Sequence, residues 1–376
     1  MSAKHIALIS FALEGGGAER VLTEMAGHFA SLGRRVSLLT LDGTCVDAYP
    51  LHSAVNRVRI NILWPSRHIW NSVISTLQRQ ALIRRTVCAL KADVVVSFTE
   101  LTNVRVLAAL LGTGIPVIVS ERTTPAEYPV GRFWTIARRL AYPFADAVVV
   151  QTENVARWAR RWLRASRVVV IPNSVRKVTS TGPEPRPAGM PVGPVIVAMG
   201  RIAPEKGFDM LVRAFASATS ERKEWRLVVL GDGPDRAGLE ELAGSLGVAG
   251  RVLFPGHQAN PVAWLQHAAL FVLSSRFEGF PNALLEAMQW GLPAVAFDCS
   301  NGPSEIVRHG VDGLLVPAGD VPSMAAAISR LAGDAELRAR LAKRAREVAD
   351  RFPPGRIYGS WLAMCDRLAS GAGRVR

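Results

Sequence analysis

Thirteen short apolar runs constrain this chain more than any other feature. They are Ile6–Phe11, Val36–Leu41, Val58–Leu63, Asp93–Phe98, Pro116–Ser120, Ala147–Gln151 and Arg167–Pro172, then Pro194–Met199, Arg226–Leu230, Val252–Phe254, Leu270–Leu273, Ala294–Phe297 and Gly313–Val316. Most are bounded by Gly or Pro and separated by stretches of helical spacing. Runs this short and continuous read as strands buried on both faces, which in practice means parallel strands covered by helices. The Pro-, Gly- and Thr-rich stretch 173–194, including Thr179-Ser-Thr-Gly-Pro-Glu-Pro-Arg-Pro187, interrupts the series as a linker. The expectation is therefore an α/β chain of two doubly wound, Rossmann-like domains: 1–175, then 176–355, with 356–376 as a last helical segment.

Charge and cysteines narrow the class. The chain carries a net +14, but residues 1–175 hold 21 basic against 11 acidic side chains, so +10 of the excess sits in the first half. An anionic partner is expected there. Cys45, Cys88, Cys299 and Cys365 lie far apart without a C-x-x-C or a histidine at zinc spacing, and read as reduced thiols. No metal site is expected. No apolar run is long enough to span a bilayer, and the apolar start runs straight into glycines.

The candidate chemistry centres on Ser274–Gly291, S-S-R-F-E-G-F-P-N-A-L-L-E-A-M-Q-W-G, where Glu278 and Glu286 stand with seven residues between them. Gly279-Phe-Pro281 marks a loop and Leu284–Met288 an apolar helix stopped by Gly291. The backbone N–H groups of Asn282, Ala283 and Leu284 then form the helix's first turn, a natural phosphate seat between the two carboxylates. Taken alone, a Glu at a short helix start is most often a cap or a dipole partner. Gly200-Arg201-x4-Lys206-Gly207 puts two cations on a loop entering a helix, suited to two phosphates or to a surface ion pair. Gly15-Gly16-Gly17, after the first strand, is either a phosphate-approach loop or a flexible turn; it lacks the G-x-G-x-x-G spacing and the acidic ribose anchor of a dinucleotide site. The turn after Phe254 opens at a sheet edge where ligands bind in such folds.

Basic segments in the first half suggest a surface. From Ala48 to Ala92 there is no acidic residue, while Arg57, Arg59, Arg67, Arg79, Arg84, Arg85 and Lys91 fall there with Trp64 and Trp70. Ile69, Val73, Leu77 and Ala81 suggest the apolar face of a helix. Arg132–Arg139 is a second cluster. Arg157-Trp158-Ala-Arg160-Arg161-Trp162-Leu-Arg164 is a third, with the two tryptophans expected on one helix face. An anionic membrane surface, a pyrophosphate or a plain solvated face all fit such helices. Nucleic acid is discounted: no recognised module is present.

The ordered set G-G-G-A-E-R, I-P-N-S-V, G-R-x4-K-G, G-D-G, S-S-R-F-E-G-F-P-N-A-L-L-E-A-M, G-P-S-E-I-V and D-G-L-L-V, spanning about residues 6–318, resembles the family 4 glycosyltransferases of GT-B fold. The resemblance implies two Rossmann-like domains facing each other across a cleft, with the terminal segment crossing back to the first. It implies a retaining, metal-independent hexosyltransferase whose donor is a nucleotide sugar, UDP-linked by resemblance, with no further cofactor. By motif, Arg201 and Lys206 would hold the donor pyrophosphate, Glu286 the ribose and Glu278 the sugar hydroxyls. Asn282, Ala283 and Leu284 would cover phosphate, Gly16 and Gly17 would close on it, and the chain around Phe254 would face the base. Glu278, Arg201 and Lys206 form the expected catalytic set.

One departure bears on the acceptor. Some relatives carry a histidine in the first domain where this chain reads Ser120-Glu121-Arg122. That S-E-R resembles the polysaccharide and protein-glycan branch, whose acceptors are polyprenyl-diphosphate-linked saccharides. The expected product is then a bacterial polysaccharide or glycan, built by a cytoplasmic protein peripheral to the inner face of the membrane. Arg79, Arg84, Arg85, Glu121, Arg122, Trp158 and Trp162 are the candidate acceptor and membrane residues. A non-catalytic nucleotide-sugar-binding scaffold, or an epimerase or phosphorylase of the same fold, are the alternatives.

Overall fold

The structure, a computed structural model, describes residues 2–43, 46–62, 69–123, 131–176 and 182–371, with the side chains of 69–74 excepted. Trp64, Arg67, the Trp70 side chain and linker positions 177–181 lie outside the described residues, as do 372–376 of the terminal segment.

Continuous Val/Ile/Leu runs pair because a strand buried on both faces satisfies its backbone only through neighbouring strands. Seven do so in the first unit: β1 (His5–Ser10), β2 (Arg35–Thr40), β3 (Val55–Arg59), β4 (Val94–Phe98), β5 (Val117–Ser120), β6 (Ala147–Val150) and β7 (Val168–Val170). They form one parallel sheet in the order β3-β2-β1-β4-β5-β6-β7. The helices are α1 (Gly17–Ser31), α2 (Ile69–Leu90), α3 (Glu100–Leu110), α4 (Arg132–Ala141) and α5 (Glu153–Ala159). Period-2 alternation divides the strand side chains between two cores. Ile6 and Leu8 face α1, through Val21, Leu22, Met25 and Phe29. Ala7 and Ile9 face the opposite side, with Ile83 and Val87 of α2 and Val106 of α3.

The second unit repeats the plan. Its strands are β8 (Val195–Met199), β9 (Arg226–Leu230), β10 (Val252–Gly256), β11 (Leu270–Leu273), β12 (Ala294–Asp298) and β13 (Gly313–Pro317). The sheet is again parallel, in the order β10-β9-β8-β11-β12-β13. Helices α6 (Phe208–Ala218), α7 (Arg236–Ser245), α8 (Pro261–Gln266), α9 (Asn282–Gln289), α10 (Pro303–Ile306), α11 (Val321–Gly333), α12 (Ala335–Ala345) and α13 (Val348–Arg351) cover it. The units divide at Ser174 and Val175, and the chain from Pro354 onward belongs to the first. There α14 (Pro354–Ala369) buries Ile357, Tyr358, Trp361, Met364 and Leu368 in the core beside α1. Each such fully buried side chain contributes about 1.5–3 kcal/mol of transfer free energy, which fastens this distant segment.

Two elements differ from expectation. The strand expected at Val58–Leu63 is β3, three residues earlier; Ile60 and Ile62 are buried in the loop beyond it. Their side chains fill the core, while their amides still donate to the Thr40 and Leu41 carbonyls at 2.8 and 2.9 Å. On α2, Leu77 is 64% exposed and Ala81 is also exposed, while Ile83 and Val87 are fully buried. A four-residue step drifts about 40° around a helix of 3.6 residues per turn, so steps of four do not keep to one face.

Candidate functional site

In the second unit the strand order turns back between β8 and β11, the position where open α/β sheets bind ligands beyond their strand C-termini. The two motif loops leave these two strands side by side. Gly207 has φ +61°, and a Cβ on it would stand 2.2 Å from the Ser274 carbonyl oxygen, so only glycine lets the loops approach this closely. Hydrogen bonds lock the approach: Ser274 Oγ donates to the Lys206 carbonyl (2.9 Å) and Arg276 N–H to the Glu205 carbonyl (2.9 Å). Arg276 also forms a two-pronged ion pair with Asp209 at 2.8 and 2.9 Å. Gly231, after β9, packs so closely that a Cβ would lie 2.0 Å from the Gly200 carbonyl oxygen.

The result is a direct pairing of Lys206 Nζ with Glu278 Oε1 at 2.7 Å; the same oxygen accepts from Ser275 Oγ at 2.6 Å. The lysine side chain keeps a quarter of its surface open and the glutamate a tenth. Arg201, two-thirds exposed, pairs with Glu205 at 2.5 Å. Burial is the largest single influence on Glu205 and works against its charge, but the hydrogen bond from Arg201, a backbone N–H and the charges of Arg201 and Lys206 together hold the carboxyl below its ordinary range. Glu286 lies on α9 and is buried. A cation, a carboxylate and a helix start thus converge on one edge. Ser275, Arg276 and Asp209 complete the framework; the first two stand inside the S-S-R-F-E-G motif, but what they hold is visible only in the fold. A cavity of about 500 Å³ lies alongside, lined by Ile202, Pro204, Phe208, Leu239 and Arg276 among others, but by none of Lys206, Glu278 or Glu286.

Three expected donor contacts change. The Leu284 amide donates to the Pro281 carbonyl at 3.2 Å, which takes it out of the set expected to cover phosphate; Asn282 and Ala283 open α9 ahead of it. The Phe254 ring is 7% exposed and belongs to the core, so what the chain around it can turn toward a base is the backbone of β10 and the turn beyond it, not the ring. The glycine loop of the first unit is closed on itself: Glu19 Oε2 accepts from Gly15 N–H (2.8 Å) and Gly16 N–H (3.1 Å). The carboxylate occupies the position at the start of α1 that an anion would use, in a capping box. Burial pushes its pKa up against those same bonds. Gly17 is the first residue of α1.

At the corresponding edge of the first unit, Glu121 and Arg122 follow β5 and are buried, at 1% and 8% exposure, so neither is a surface group. Tyr142 Oη donates to Glu121 Oε2 at 2.7 Å and accepts from Asn103 Nδ2 at 3.0 Å; Arg138 stands 3.7 Å from the same carboxylate. Burial drives the Glu121 pKa up to about 7, the Arg138 charge opposing it and Glu100 reinforcing it. Arg122 lies over the Phe98 ring at 4.5 Å and donates to Asn173 Oδ1 at 2.7 Å, leaving its Nε and Nη1 without a hydrogen bond. Burial lowers its pKa to about 9; Tyr358 counters this and Arg20 adds to it. Thr99, next to this cluster, holds φ +71°, a strained value for a β-branched residue. Asn103 and Tyr142 carried no signal in the sequence, and Arg138 stood there only as one cation of the Arg132–Arg139 cluster, not as the partner of a buried carboxylate.

The basic clusters are also redistributed. Arg84 donates to the carbonyls of Ala109 (3.2 Å) and Leu111 (2.8 Å) and so caps the end of α3, which corrects its reading as a membrane cation. Arg79 is half-buried and Arg85 exposed. Trp158 and Trp162 do not share a helix face, because α5 ends at Ala159. Both are half-buried against the core, their rings edge to face at 5.3 Å, with Arg138 over Trp158. They are packing residues and not an exposed anchor. Arg160 pairs with Glu153 and Arg157 with Asn154. Among the described residues no helix is long and apolar enough to cross a membrane, and no three His, Cys, Asp or Glu side chains are grouped to hold a metal.

Comparison with known proteins supplies the family. The profile described as Glycosyltransferase Family 4 matches residues 15–177, and that of Glycosyl transferases group 1 matches residues 191–348. A lipopolysaccharide core biosynthesis glycosyltransferase of Rhizobium meliloti is 34% identical over 243 residues, 63% of this chain and 69% of that protein. An alpha-1,4-N-acetyl-D-galactosaminyltransferase of Campylobacter jejuni, named for a saccharide on undecaprenol diphosphate, is 26% identical over 96% of this chain and 97% of its own length. An exopolysaccharide phosphotransferase of Streptomyces coelicolor is 40% identical over 61% of this chain, a match spanning only 24% of that protein. Among solved structures, HepE from Anabaena in complex with UDP superposes with a TM-score of 0.75 at 19% identity, covering 96% of this chain and 98% of that one. Two parallel-sheet α/β units, the first matched by the Glycosyltransferase Family 4 profile and the second by the Glycosyl transferases group 1 profile, make this chain a member of the GT-B glycosyltransferases.

Proposed function

We propose that the protein is a retaining hexosyltransferase, moving a hexose or N-acetylhexosamine from a UDP-sugar to a lipid-linked saccharide in bacterial polysaccharide or glycan assembly. The observation that carries the reading is the Lys206–Glu278 pair, held at 2.7 Å above the switch point and beside the start of α9. When the bond between the sugar's anomeric carbon and the diphosphate breaks, negative charge grows on phosphate. Lys206, Arg201 and the first turn of α9 stabilise that charge, and being already held in place they do so without reorganising. Glu278, bonded to Lys206 and Ser275, orients the sugar's hydroxyls; Glu286 accepts from the ribose. The acceptor hydroxyl adds on the face the diphosphate leaves, and its proton passes to a leaving phosphate oxygen. In this scheme the two cations act where a divalent metal would otherwise sit, so turnover survives EDTA.

The donor assignment is supported by HepE, whose fold this chain shares and which was solved with UDP, and the acceptor assignment by the Campylobacter enzyme's name. A panel of nucleotide sugars, offered with a polyprenyl-diphosphate saccharide and followed by mass spectrometry, tests both. Transfer from a UDP-sugar with retention at the anomeric carbon is expected. Inverted product, or turnover only with a non-uridine donor, overturns the corresponding part.

A further inference from the structure

The helix α4 is amphipathic in the wrong sense for a solvated surface. Its inner side is filled by Trp134, Ala137, Arg138 and Ala141, continuing to the fully buried Tyr142. Its outer side carries Phe133 (72% exposed), Ile136 (59%) and Leu140 (68%), at positions i, i+3 and i+7, and the stripe runs on to Phe144 (61%) in the following turn. A surface helix ordinarily turns polar residues outward. Exposed large apolar side chains elsewhere among the described residues are scattered, whereas these four share one stripe and mark a binding surface. Arg132 and Arg139 are exposed on the same helix, and no acidic residue occurs from Arg132 to Ala145. Neither arginine makes an ion pair among the described residues.

We infer that this stripe is the protein's docking surface for a lipid bilayer with anionic headgroups. The occupant follows from combining an apolar ridge with uncompensated cations. A second copy of the chain supplies the apolar half only: packing two stripes together would set Arg132 and Arg139 against their own copies, on chains that each carry +14. An anionic leaflet supplies both halves. A ten-residue helix is about 15 Å long, so α4 lies in the interface plane and does not span it. Phe133, Ile136, Leu140 and Phe144 enter the acyl boundary, and Arg132 and Arg139 extend to the headgroups. This surface replaces the Trp158 and Trp162 anchor, whose rings are committed to the core. The stripe would serve as a docking surface whether or not the proposed sugar chemistry holds.

The test is flotation of the full chain with vesicles of phosphatidylcholine alone or with about 30 mol % phosphatidylglycerol, at low and physiological salt. Wild type is expected to float with the anionic vesicles. The variant Phe133→Ser/Ile136→Ser/Leu140→Ser should lose binding tenfold or more while keeping its unfolding midpoint, because the three side chains are already solvated. Arg132→Gln/Arg139→Gln should lose the preference for phosphatidylglycerol and the salt dependence. Wild type that stays soluble with anionic vesicles at low salt overturns the inference, as does a triple-serine variant that binds as well as wild type. A wild-type dimer that the serine variant converts to monomer also overturns it and makes the stripe a self-interface. Protein that floats but transfers no sugar refutes only the enzyme reading. Transfer to a water-soluble acceptor without flotation refutes only the docking.

Discussion

Both units carry a charged cluster at the C-terminal edge of a doubly wound parallel sheet, after β8 and β11 in the second and after β4 and β5 in the first, and treat them in opposite ways. In the second unit Lys206 and Glu278 are paired at 2.7 Å and partly open to solvent. In the first, Glu121 is buried, bonded by Tyr142 Oη at 2.7 Å but with its paired cation, Arg138, at 3.7 Å, and Glu100 Oε2, Asn103 Oδ1, Arg122 Nε and Nη1 and Arg138 Nε lack hydrogen bonds. A paired lysine with a quarter of its surface open costs little, and in the proposed reaction it would meet the donor's phosphate. A buried, half-satisfied cluster costs stability, and its charge states respond to whatever approaches. Equivalent topology therefore does not imply equivalent electrostatics.

The sharpest way to break this comparison is to remove the paired cation. Lys206→Ala, and separately Arg201→Ala, should each lower kcat by a hundredfold or more, the scale of one preorganised charge-stabilising group. Near-normal steady-state turnover in both would dissolve the phosphate grip.

Next in size is the pH dependence of the buried cluster. The Glu121 pKa is about 7 in the folded state against an ordinary 4.5, so the folded protein holds this proton more tightly. Its stabilising effect is complete below about pH 4.5, fades as pH rises and is gone above about pH 7, a loss of roughly 3 kcal/mol. Denaturant titrations should show the gap between wild type and Glu121→Gln changing across that window and flat above it. A gap that does not move across that window would mean that burial does not raise the carboxyl's pKa.

Tyr142→Phe removes the donor to Glu121 and the acceptor of Asn103. It should destabilise by about 2 kcal/mol through the unsatisfied groups left behind. An unchanged unfolding midpoint would show the network to be slack.

The smallest expected effects separate the two glutamates of the second unit. Glu286→Gln should raise KM about tenfold with little change in kcat, because a ribose contact is the same in ground and transition states. Glu278→Gln should instead act on kcat. The reverse pattern in initial-rate kinetics would exchange their roles.

Periodicity and punctuation made much of the molecule legible from the sequence. Runs such as Arg226–Leu230 and Leu270–Leu273 coincide with β9 and β11, since strands buried on both faces leave a continuous apolar record. Gly207 and Gly291 are legible for a similar reason: their positive φ values are local demands that a side chain would oppose. The order of the motifs along the chain sufficed to indicate the family.

What local pattern could not reveal is which distant groups meet. Lys206 and Glu278 are 72 positions apart, and Tyr358 of α14 bonds Glu24 of α1 at 2.9 Å across 334. Such pairs depend on which strands lie side by side, a global property absent from any window of sequence. The same holds for direction. Trp158 and Trp162 beside arginines look like a membrane anchor and turn inward, while Phe133, Ile136 and Leu140 look like core and turn outward. An apolar side chain in sequence records only that it avoids water; whether it does so against its own sheet or against another surface is decided when the helices pack.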